Sequence, residues 1–362
     1  MLTALAAVQT GDRRIEMMTL PVPDEIGEDE ALLAVEGNGM CGTDWDQYLG
    51  AIGQATRYPV IDGHETVGRI ARIGRRAAVR MGVTEGDRVA LESTRPCGSC
   101  PPCVSGRWLY CDNRLIYGLT SVNDPPGLNG GYAEYLWMRS NSRVHPLPDH
   151  LSVEDAVFFN PLGSGFDWAV RIAGTQLGDT VLIMGPGQRG LACVVAAREA
   201  GAARIIVGGR GLRPWKLDLA RQLGATDVVN TDRQSVVDVV REVTDGAMAD
   251  RAIDTTPHAV KPVEDCIGSL RAEGTLVLTA NKENAVPNFV ARIISQALTV
   301  RGAYSVSEWA KRQAVRVLSS GRLDLSGVHT HTLPITELDQ AMRILGGEVE
   351  GEEPLHITVV PR

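Results

Sequence analysis

The hydrophobic positions of the chain follow two different periods, and the change between them divides the sequence. In the first third, short apolar runs alternate with glycine-rich turns, which predicts strands in a compact β-rich region. These predicted strands are 31–36, 65–73, 87–91 and 132–138. From 177 to 302, short apolar runs alternate with amphipathic stretches of helical period. The chain is therefore expected to begin with β structure and to continue as alternating α/β structure.

The alternating region predicts a second domain of its own. Its strands are 181–184, 204–207, 227–229, 252–254, 275–279 and 298–301, and its helices are 191–200, 215–223, 235–243, 260–270 and 289–297. Six strands separated by helices predict a doubly wound parallel sheet with helices on both faces. After 304 the alternation ends in a helix at 307–319 and a strand at 355–360. We expect this tail to return to the first domain, which then comprises 1–160 and 305–362, with the second domain at 161–304.

Composition limits the possible classes of function. A chain of 362 residues fits two domains better than one. The net charge of −8 argues against a nucleic-acid-binding protein, which usually has a basic surface. No apolar run is long enough to cross a membrane, and the short apolar start lacks the basic residues of a signal peptide. We expect a cytoplasmic protein without nucleic-acid or membrane partners.

Four of the seven cysteines fall close together and predict a metal site. Their spacing is C-x2-C-x2-C-x7-C, formed by Cys97, Cys100, Cys103 and Cys111. An odd number of cysteines without a signal peptide favours metal binding over disulfides. Four thiolates around one ion, with no open position, are typical of structural zinc. The alternatives are buried free thiols or an iron–sulfur cluster.

A second set of metal-ligand residues lies in two glycine-flanked turns. Cys41 follows Gly39-Met40, and His64-Glu65 follows Gly63. A thiolate, an imidazole and a carboxylate can hold a catalytic zinc while leaving one position open. Glu65 is either a direct ligand or a group that orients a ligand.

The first strand of the second domain runs directly into a glycine fingerprint. The sequence after 181–184 is Gly185-Pro186-Gly187-Gln188-Arg189-Gly190, followed by a helix. In this context GxGxxG predicts dinucleotide binding, with Gly185 in the tight turn, Gly187 next to the pyrophosphate and Gly190 at the helix–strand contact. The helix N-terminus then offers amide donors to the phosphates. The alternative is an ordinary glycine-rich turn.

The end of the second strand indicates which nicotinamide cofactor is bound. An NAD site usually has an acid here, which holds the ribose 2′-hydroxyl. The stretch 207–214 contains no acid, but it contains Arg210, Gly211 and Arg213. A small residue and guanidinium groups suit a 2′-phosphate, which favours NADP over NAD. The alternative is that both arginines are solvated loop charges.

Two histidines and two cysteines are expected to have no role in the site. His329 and His331 are two residues apart in a strand-like tail, so both point to one face, which we expect to be solvent. Cys193 and Cys266 lie on helical patterns and are predicted to belong to the core.

Together these motifs resemble the zinc-containing medium-chain dehydrogenase/reductase family, of the alcohol dehydrogenase type. The resemblance covers nearly the whole chain, and its most specific segments are 39–44, 63–65, 97–111, 130–135, 185–190 and 219–225. It implies a β-rich GroES-like catalytic domain, interrupted by a six-stranded Rossmann domain. It also implies a homodimer or homotetramer.

The resemblance assigns roles to individual positions. Cys41 and His64 match two ligands of the catalytic zinc, and Thr43 matches the hydroxyl residue that passes on the substrate proton. The third ligand of the family, usually Cys, Asp or Glu, falls on Asn160 in this chain. Its neutral amide is a weaker zinc ligand, which makes Glu65 the leading candidate for the missing charged ligand. Asp46 stands where some relatives have a histidine at the outer end of the proton relay.

The implied activity is that of a zinc-dependent alcohol or polyol dehydrogenase, which reduces carbonyl groups in reverse and uses NADP(H). We expect the small alcohol or carbonyl substrate to bind between loops near 46–54, 115–123 and Tyr304. One alternative is an NAD-linked sugar or amino-alcohol dehydrogenase. An alternative of another class is a non-catalytic cofactor-binding protein without the catalytic zinc, which only Asn160 favours.

Overall fold

The computed structural model describes residues 2–52, 58–282 and 284–362. The chain forms two compact units, one of Met1–Phe159 with Leu325–Arg362 and one of Asn160–Asp324. The second unit includes the helix Glu308–Ser319, which the sequence analysis assigned to the first domain. These units are defined by packing alone, and the family domain limits 1–160, 161–304 and 305–362 stay predictions.

The strands in chain order are β1 (Thr3–Gly11), β2 (Arg14–Pro21), β3 (Ala31–Gly39), β4 (Val60–Ile61), β5 (Glu65–Ile73), β6 (Arg88–Leu91), β7 (Thr94–Arg95), β8 (Leu115–Ile116), β9 (Tyr135–Met138), β10 (Val144–Pro146), β11 (Thr180–Met184), β12 (Arg204–Gly209), β13 (Asp227–Asn230), β14 (Ala249–Asp254), β15 (Leu270–Leu278), β16 (Thr299–Gly302), β17 (His329–Pro334) and β18 (His356–Val360).

The helices are α1 (Gly42–Tyr48), α2 (Arg75–Met81), α3 (Pro101–Val104), α4 (Val153–Val157), α5 (Phe159–Gly165), α6 (Gln188–Glu199), α7 (Trp215–Leu223), α8 (Val236–Val243), α9 (Lys261–Ser269), α10 (Phe289–Ser295), α11 (Glu308–Ser319) and α12 (Leu338–Leu345). A π-helix occupies Phe166–Ile172, and 3-10 turns occupy Trp108–Tyr110 and Ile335–Glu337. Among the helices of the described ranges, none has both the length and the apolar character needed to cross a bilayer.

The first unit is built around a sheet that is antiparallel except for the parallel pair β17–β18, and this sheet positions two loops. Its order is β10-β6-β5-β3-β18-β17, and β9 also pairs with β3. In the register of β3 with β5, Gly39 lies opposite Glu65. The turn after β3 and the turn before β5 therefore meet at one end of the sheet. Large apolar side chains such as Leu32, Tyr132 and Ile357 form the core that fixes this register.

The second unit contains the predicted parallel sheet. Within the described residues it has six strands in the order β13-β12-β11-β14-β15-β16, so the strand order reverses beside β11. All neighbouring strands run parallel. Leu182, Ile206 and Leu276 from its strands pack with Val263 and Ile267 of α9 in one core. This confirms the predicted α/β fold class, with its doubly wound arrangement.

The prediction that His329 and His331 face solvent is wrong. Their side chains are only 13% and 15% exposed. His329 Nε2 lies 3.0 Å from Asp155 Oδ1, and its Nδ1 lies 3.0 Å from His356 Nδ1. His331 Nε2 lies 2.8 Å from Glu352 Oε2. The strand is covered because carboxylates on α4 and in the turn before β18 reach over it.

Candidate active site and cofactor site

Cys41 and His64 come together because their strands are neighbours. Cys41 follows β3 and precedes α1, while His64 directly precedes β5. With Gly39 opposite Glu65 in the sheet, the two flanking turns lie side by side. Cys41 Sγ is 3.1 Å from His64 Nε2. The structure thus brings together the two residues that the sequence predicts as zinc ligands.

Asp44 completes this cluster, and its place beside the two predicted zinc ligands was not predicted from the sequence. The ligand atoms of Cys41, Asp44 and His64 all lie within 4.8 Å of one another. Asp44 Oδ1 is 3.4 Å from His64 Nδ1, and Asp44 Oδ2 accepts a 2.7 Å hydrogen bond from the Cys41 amide. Nε2 of His64 is left for a metal, as in metal sites where a carboxylate orients the histidine. The sequence feature that could have identified Asp44 is its position three residues after a helix N-cap. Carboxylates at that position commonly accept a hydrogen bond from a backbone N–H group.

The electrostatics of the cluster favour a cation. Burial alone would lower the pKa of His64, but the Cys41 sulfur and the Asp44 carboxylate outweigh burial and raise that pKa well above its usual value. Burial, reinforced by Asp44, raises the pKa of Asp62. Burial and the same carboxylates also raise the pKa of Tyr132. A sulfur and an imidazole nitrogen inside this negative region are a donor set that fits zinc.

Glu65 lies beside the cluster but outside it. The residue is fully buried at the start of β5. A Cβ placed on Gly39 would lie 2.7 Å from Glu65 Oε2 and 3.2 Å from His356 Nε2, so both atoms approach the same point. The three residues with ligand atoms within 4.8 Å of one another are Cys41, Asp44 and His64. Zinc ligation by Glu65 stays a prediction.

The two residues predicted for the proton relay lie on α1. Thr43 and Asp46 are both exposed. They are three residues apart in the helix, so their side chains lie on the same side, one turn from each other. Thr43 is also only two residues from Cys41. This placement suits a path that begins near the metal cluster, and the relay itself stays a prediction.

Asn160 is the first residue of the second unit and the second residue of α5. It lies on α5 and is buried. One turn later, the Ser164 hydroxyl donates to the Asn160 carbonyl oxygen at 3.1 Å. Zinc ligation by Asn160 stays a prediction.

The four clustered cysteines form a second candidate metal site. Their sulfur atoms all lie within 4.8 Å of one another. Cys100 Sγ and Cys111 Sγ are 3.7 Å apart, close to the value of about 3.8 Å for a tetrahedral ion with bonds of about 2.3 Å to sulfur. Backbone N–H groups of Ser99 and Cys100 lower the pKa of Cys97 to about 5, which favours the thiolate. The geometry fits a structural zinc.

The glycine loop of the second unit has the geometry of a phosphate-binding turn. Gly185 has a φ of +101°, which favours glycine. A Cβ on Gly190 would lie 1.8 Å from the Gly185 carbonyl oxygen, whereas a Cβ on Gly187 would meet nothing within 4 Å. Gly190 therefore permits close packing, and Gly187 leaves space for a ligand at the start of α6. These are the roles that the sequence assigns to the two positions.

Gln188 and Arg189 form the first turn of α6. The Arg189 guanidinium donates to the Ser164 hydroxyl, and it lies 5.6 Å from the centre of the Trp168 ring. Arg189 is thus held beside the π-helix that contains Trp168. Cofactor contacts by Gln188 and Arg189 stay predictions.

At the end of β12, the structure reveals an acid that the sequence analysis did not consider. Arg210 Nε is 3.6 Å from Asp232 Oδ1, and the Gly211 amide donates to Asp232 Oδ2 at 2.8 Å. Asp232 comes from the loop after β13, the neighbouring strand. The expectation of NADP rests on residues 207–214 alone, and an acid from a neighbouring strand can be recognised only once the pairing of strands is known.

Comparison with known proteins agrees with this architecture. The family model for the alcohol dehydrogenase GroES-like domain matches residues 27–149, and the model for zinc-binding dehydrogenase matches residues 190–320. An alcohol dehydrogenase structure from Thermotoga maritima has the same fold, with a TM-score of 0.89, 23% identity and 100% of both chains covered. An alcohol dehydrogenase from Thermus sp. ATN1 gives a TM-score of 0.85 at 25% identity, covering 99% of this chain and 100% of that one.

Relatives with higher sequence identity to this chain are also alcohol and polyol dehydrogenases. A probable alcohol dehydrogenase of Mycobacterium tuberculosis is 37% identical over 363 residues, covering 98% of each chain. A sorbitol dehydrogenase of Bacillus subtilis is 32% identical over 340 residues, covering 93% of this chain and 92% of the relative. The GroES-like match confirms the predicted class of the first domain. The chain belongs to the zinc-containing medium-chain dehydrogenase/reductase family, of the alcohol dehydrogenase type.

Proposed function

We propose that this chain is a zinc-dependent alcohol or polyol dehydrogenase that uses NADP(H) and reduces carbonyl groups in the reverse direction. The observation that supports this most is the cluster of Cys41, Asp44 and His64, with its ligand atoms within 4.8 Å of one another. A sulfur and an imidazole that a carboxylate orients suit a catalytic zinc. Family membership accounts for the fold, and this cluster supports the chemistry.

In this proposal Cys41 and His64 hold the zinc, and Asp44 fixes the His64 ring through Nδ1. Glu65 is the proposed charged third ligand, with Asn160 as the neutral alternative. Zinc bound there would draw electron density from a substrate oxygen and lower the pKa of the alcohol. The cysteine site at 97–111 would hold the second, structural zinc.

The remaining residues move the proton and position the cofactor. The Thr43 hydroxyl accepts the alcohol proton while releasing its own toward Asp46 and solvent. The glycine loop and the amides at the start of α6 hold the cofactor pyrophosphate. A bound nicotinamide would supply the hydride acceptor, so that the alcohol would lose one proton and one hydride and become a carbonyl compound. Arg210 and Arg213 are proposed to contact the 2′-phosphate of NADP.

Two other functions have support from specific observations. The first is an NAD-linked sugar or amino-alcohol dehydrogenase, and Asp232 beside Gly211 supports NAD as its cofactor. Several relatives at 28–30% identity are L-threonine 3-dehydrogenases, which supports an amino-alcohol substrate. Asn160 at the third ligand position supports a cofactor-binding protein that lacks the catalytic zinc.

Two measurements on zinc-replete protein test these functions. The first is oxidation of an alcohol, polyol and amino-alcohol panel, and reduction of the matching carbonyls, with NADP(H) and with NAD(H). The second is metal analysis of the wild type and of Cys41→Ala. We expect turnover and two zinc ions per chain in the wild type, with one zinc and no turnover in C41A. One zinc per chain in the wild type, with cofactor binding but no turnover, would favour the non-catalytic alternative.

A further inference from the structure

The loop after β12 lacks the acid of an NAD site, yet a carboxylate lies against it. Asp232 Oδ2 accepts from the Gly211 amide at 2.8 Å. In the β12–β13 register Gly209 lies opposite Asn230, so Gly211 and Asp232 are the corresponding positions two residues further on. The carboxyl ends of parallel strands share one sheet edge, where this fold binds the adenosine ribose.

The loop holds Asp232 in place through several short-range contacts. The Asp232 amide donates to Asn230 Oδ1 at 3.1 Å, and the Thr231 amide donates to the Gly209 carbonyl at 2.9 Å. A Cβ on Gly211 would lie 2.3 Å from Asn230 Nδ2, so the two loops pack directly against each other. The position of the carboxylate is therefore fixed by the backbone of both loops.

The same carboxylate competes for the residue proposed to bind a 2′-phosphate. Arg210 Nε lies 3.6 Å from Asp232 Oδ1, and both side chains reach solvent. A phosphate dianion next to Asp232 would be repelled, and it would have to draw Arg210 away from its partner. A ribose 2′-hydroxyl could instead donate a hydrogen bond to the carboxylate.

We propose that Asp232 is a specificity-determining residue, which takes the place of the missing acid by accepting the 2′-hydroxyl of NAD(H) and opposing the 2′-phosphate of NADP(H). This inference rests on the proposed function. It means that the preference for NADP(H) expected from Arg210 and Arg213 is reduced in the wild type, so that the chain binds both cofactors.

The test compares the dissociation constants of NADPH and NADH for zinc-replete wild type and Asp232→Asn, measured by nicotinamide fluorescence. Asparagine keeps an oxygen that can accept from the Gly211 amide, but it has no negative charge. We expect D232N to tighten NADPH binding and weaken NADH binding, changing their ratio by about tenfold. Asp238→Asn removes the same charge from an exposed pair on α8, with Arg241 at 2.9 Å, and should leave the ratio unchanged.

The outcomes separate this inference from the function on which it rests. A ratio in D232N within twofold of wild type, or a change toward NADH, would overturn the role of Asp232. If wild type binds neither cofactor, the proposed function fails instead. Thermal unfolding accompanies each variant, and Asp232→Ser, with a shorter acceptor, replaces D232N if asparagine destabilises the loop. The same change in ratio is expected from D232S.

Discussion

Asp44 contacts two of the proposed zinc ligands, Cys41 and His64, so its role extends beyond capping α1. One carboxylate oxygen accepts a hydrogen bond from the Cys41 amide, and the other faces His64 Nδ1. The carboxylate thus fixes the loop that presents the sulfur and the ring that presents the nitrogen. Substitution of such a carboxylate typically costs 10–100-fold in metal affinity.

We therefore predict that Asp44→Asn lowers zinc affinity at the Cys41–His64 site by about 10–100-fold. The amide can still accept one hydrogen bond, but it no longer balances positive charge on His64 and the metal. Competition with a chromophoric zinc chelator measures this affinity directly. The four-cysteine site provides an internal reference, since its zinc should be retained. An unchanged affinity would show that Asp44 acts only as a helix cap.

Asp46 lies on the same short helix and allows a matched comparison. It is exposed and belongs to the proposed proton path instead of the metal cluster. Asp46→Asn should leave both zinc sites filled and change the pH dependence of turnover. The measurements are metal content and kcat from pH 5 to 10. A pH profile identical to that of wild type would remove Asp46 from the relay.

Alanine substitutions at two glycines of the same loop are expected to have different effects. A Cβ at Gly190 would lie 1.8 Å from the Gly185 oxygen, so Gly190→Ala should destabilise the fold by about 1–3 kcal/mol. A Cβ at Gly187 would meet nothing within 4 Å, so Gly187→Ala should keep its stability and lose affinity for NADPH. Thermal unfolding and nicotinamide fluorescence distinguish the two effects. Normal cofactor affinity in G187A would contradict the predicted approach of the pyrophosphate.

The site residues that the sequence revealed are those whose chemical type alone is informative. Cys41, His64 and the clustered cysteines are metal-ligand types at suggestive spacings. Asp44 and Asp232 are common acids whose importance depends on which atoms they face. Asp232 becomes visible only after β12 and β13 are paired, because its partners Arg210 and Gly211 are distant in sequence.

The periodicity of apolar residues predicted the type and order of most helices and strands well. It was wrong where strand pairing sets the boundary of an element. The helix predicted at 215–223 is observed at Trp215–Leu223, and the strand predicted at 65–73 is observed at Glu65–Ile73. By contrast, β15 begins at Leu270, which the sequence analysis assigned to the preceding helix. Leu270 fits the apolar helical period, but its register with Ala249 of β14 continues the sheet instead. Tertiary pairing here overrides local pattern.

Asp250 stabilises three elements of the second unit. Its Oδ2 accepts from the Thr180 amide at 2.8 Å, and its Oδ1 accepts from Arg271 Nε at 2.7 Å. These groups join the start of β11, the strand β14 and the start of β15. Burial alone would raise the pKa of Asp250, but the Thr180 amide and Arg271 outweigh it and lower that pKa.

We predict that Asp250→Asn destabilises the protein by about 1 kcal/mol at pH 7. A pKa that is lower in the folded state gives stability that is present above the unfolded value of about 3.9 and is lost as pH falls through the folded value. The difference between wild type and variant should therefore shrink below pH 4. Urea unfolding at pH 7 and pH 3 measures it, with Asp238→Asn as the exposed control. An equal difference at both pH values would contradict the ionic contribution.

We propose that the chain forms homo-oligomers through the edge of the second sheet. In the described part of the chain, β16 ends this sheet and pairs only with β15. Val290 and Ile294, one turn apart on α10, are 67% and 74% exposed. An open strand edge and apolar side chains on a nearby helix are features that a second copy of the chain would cover. Sequence indicated this assembly only through family resemblance, because exposure depends on the folded unit.

Ile294→Glu is the substitution that tests this assembly. A carboxylate in a buried apolar interface is costly, so the variant should dissociate to a species of 38.9 kDa, while wild type elutes as a multiple of that mass. Light scattering coupled to size-exclusion chromatography gives both masses. Leu177→Glu changes another apolar residue, 87% exposed, and should not alter the mass. A monomeric wild type would contradict the proposed assembly, and an I294E variant with unchanged mass would exclude α10 from the interface. Dissociation with retained NADPH binding would show that the second unit folds and binds its cofactor without a partner.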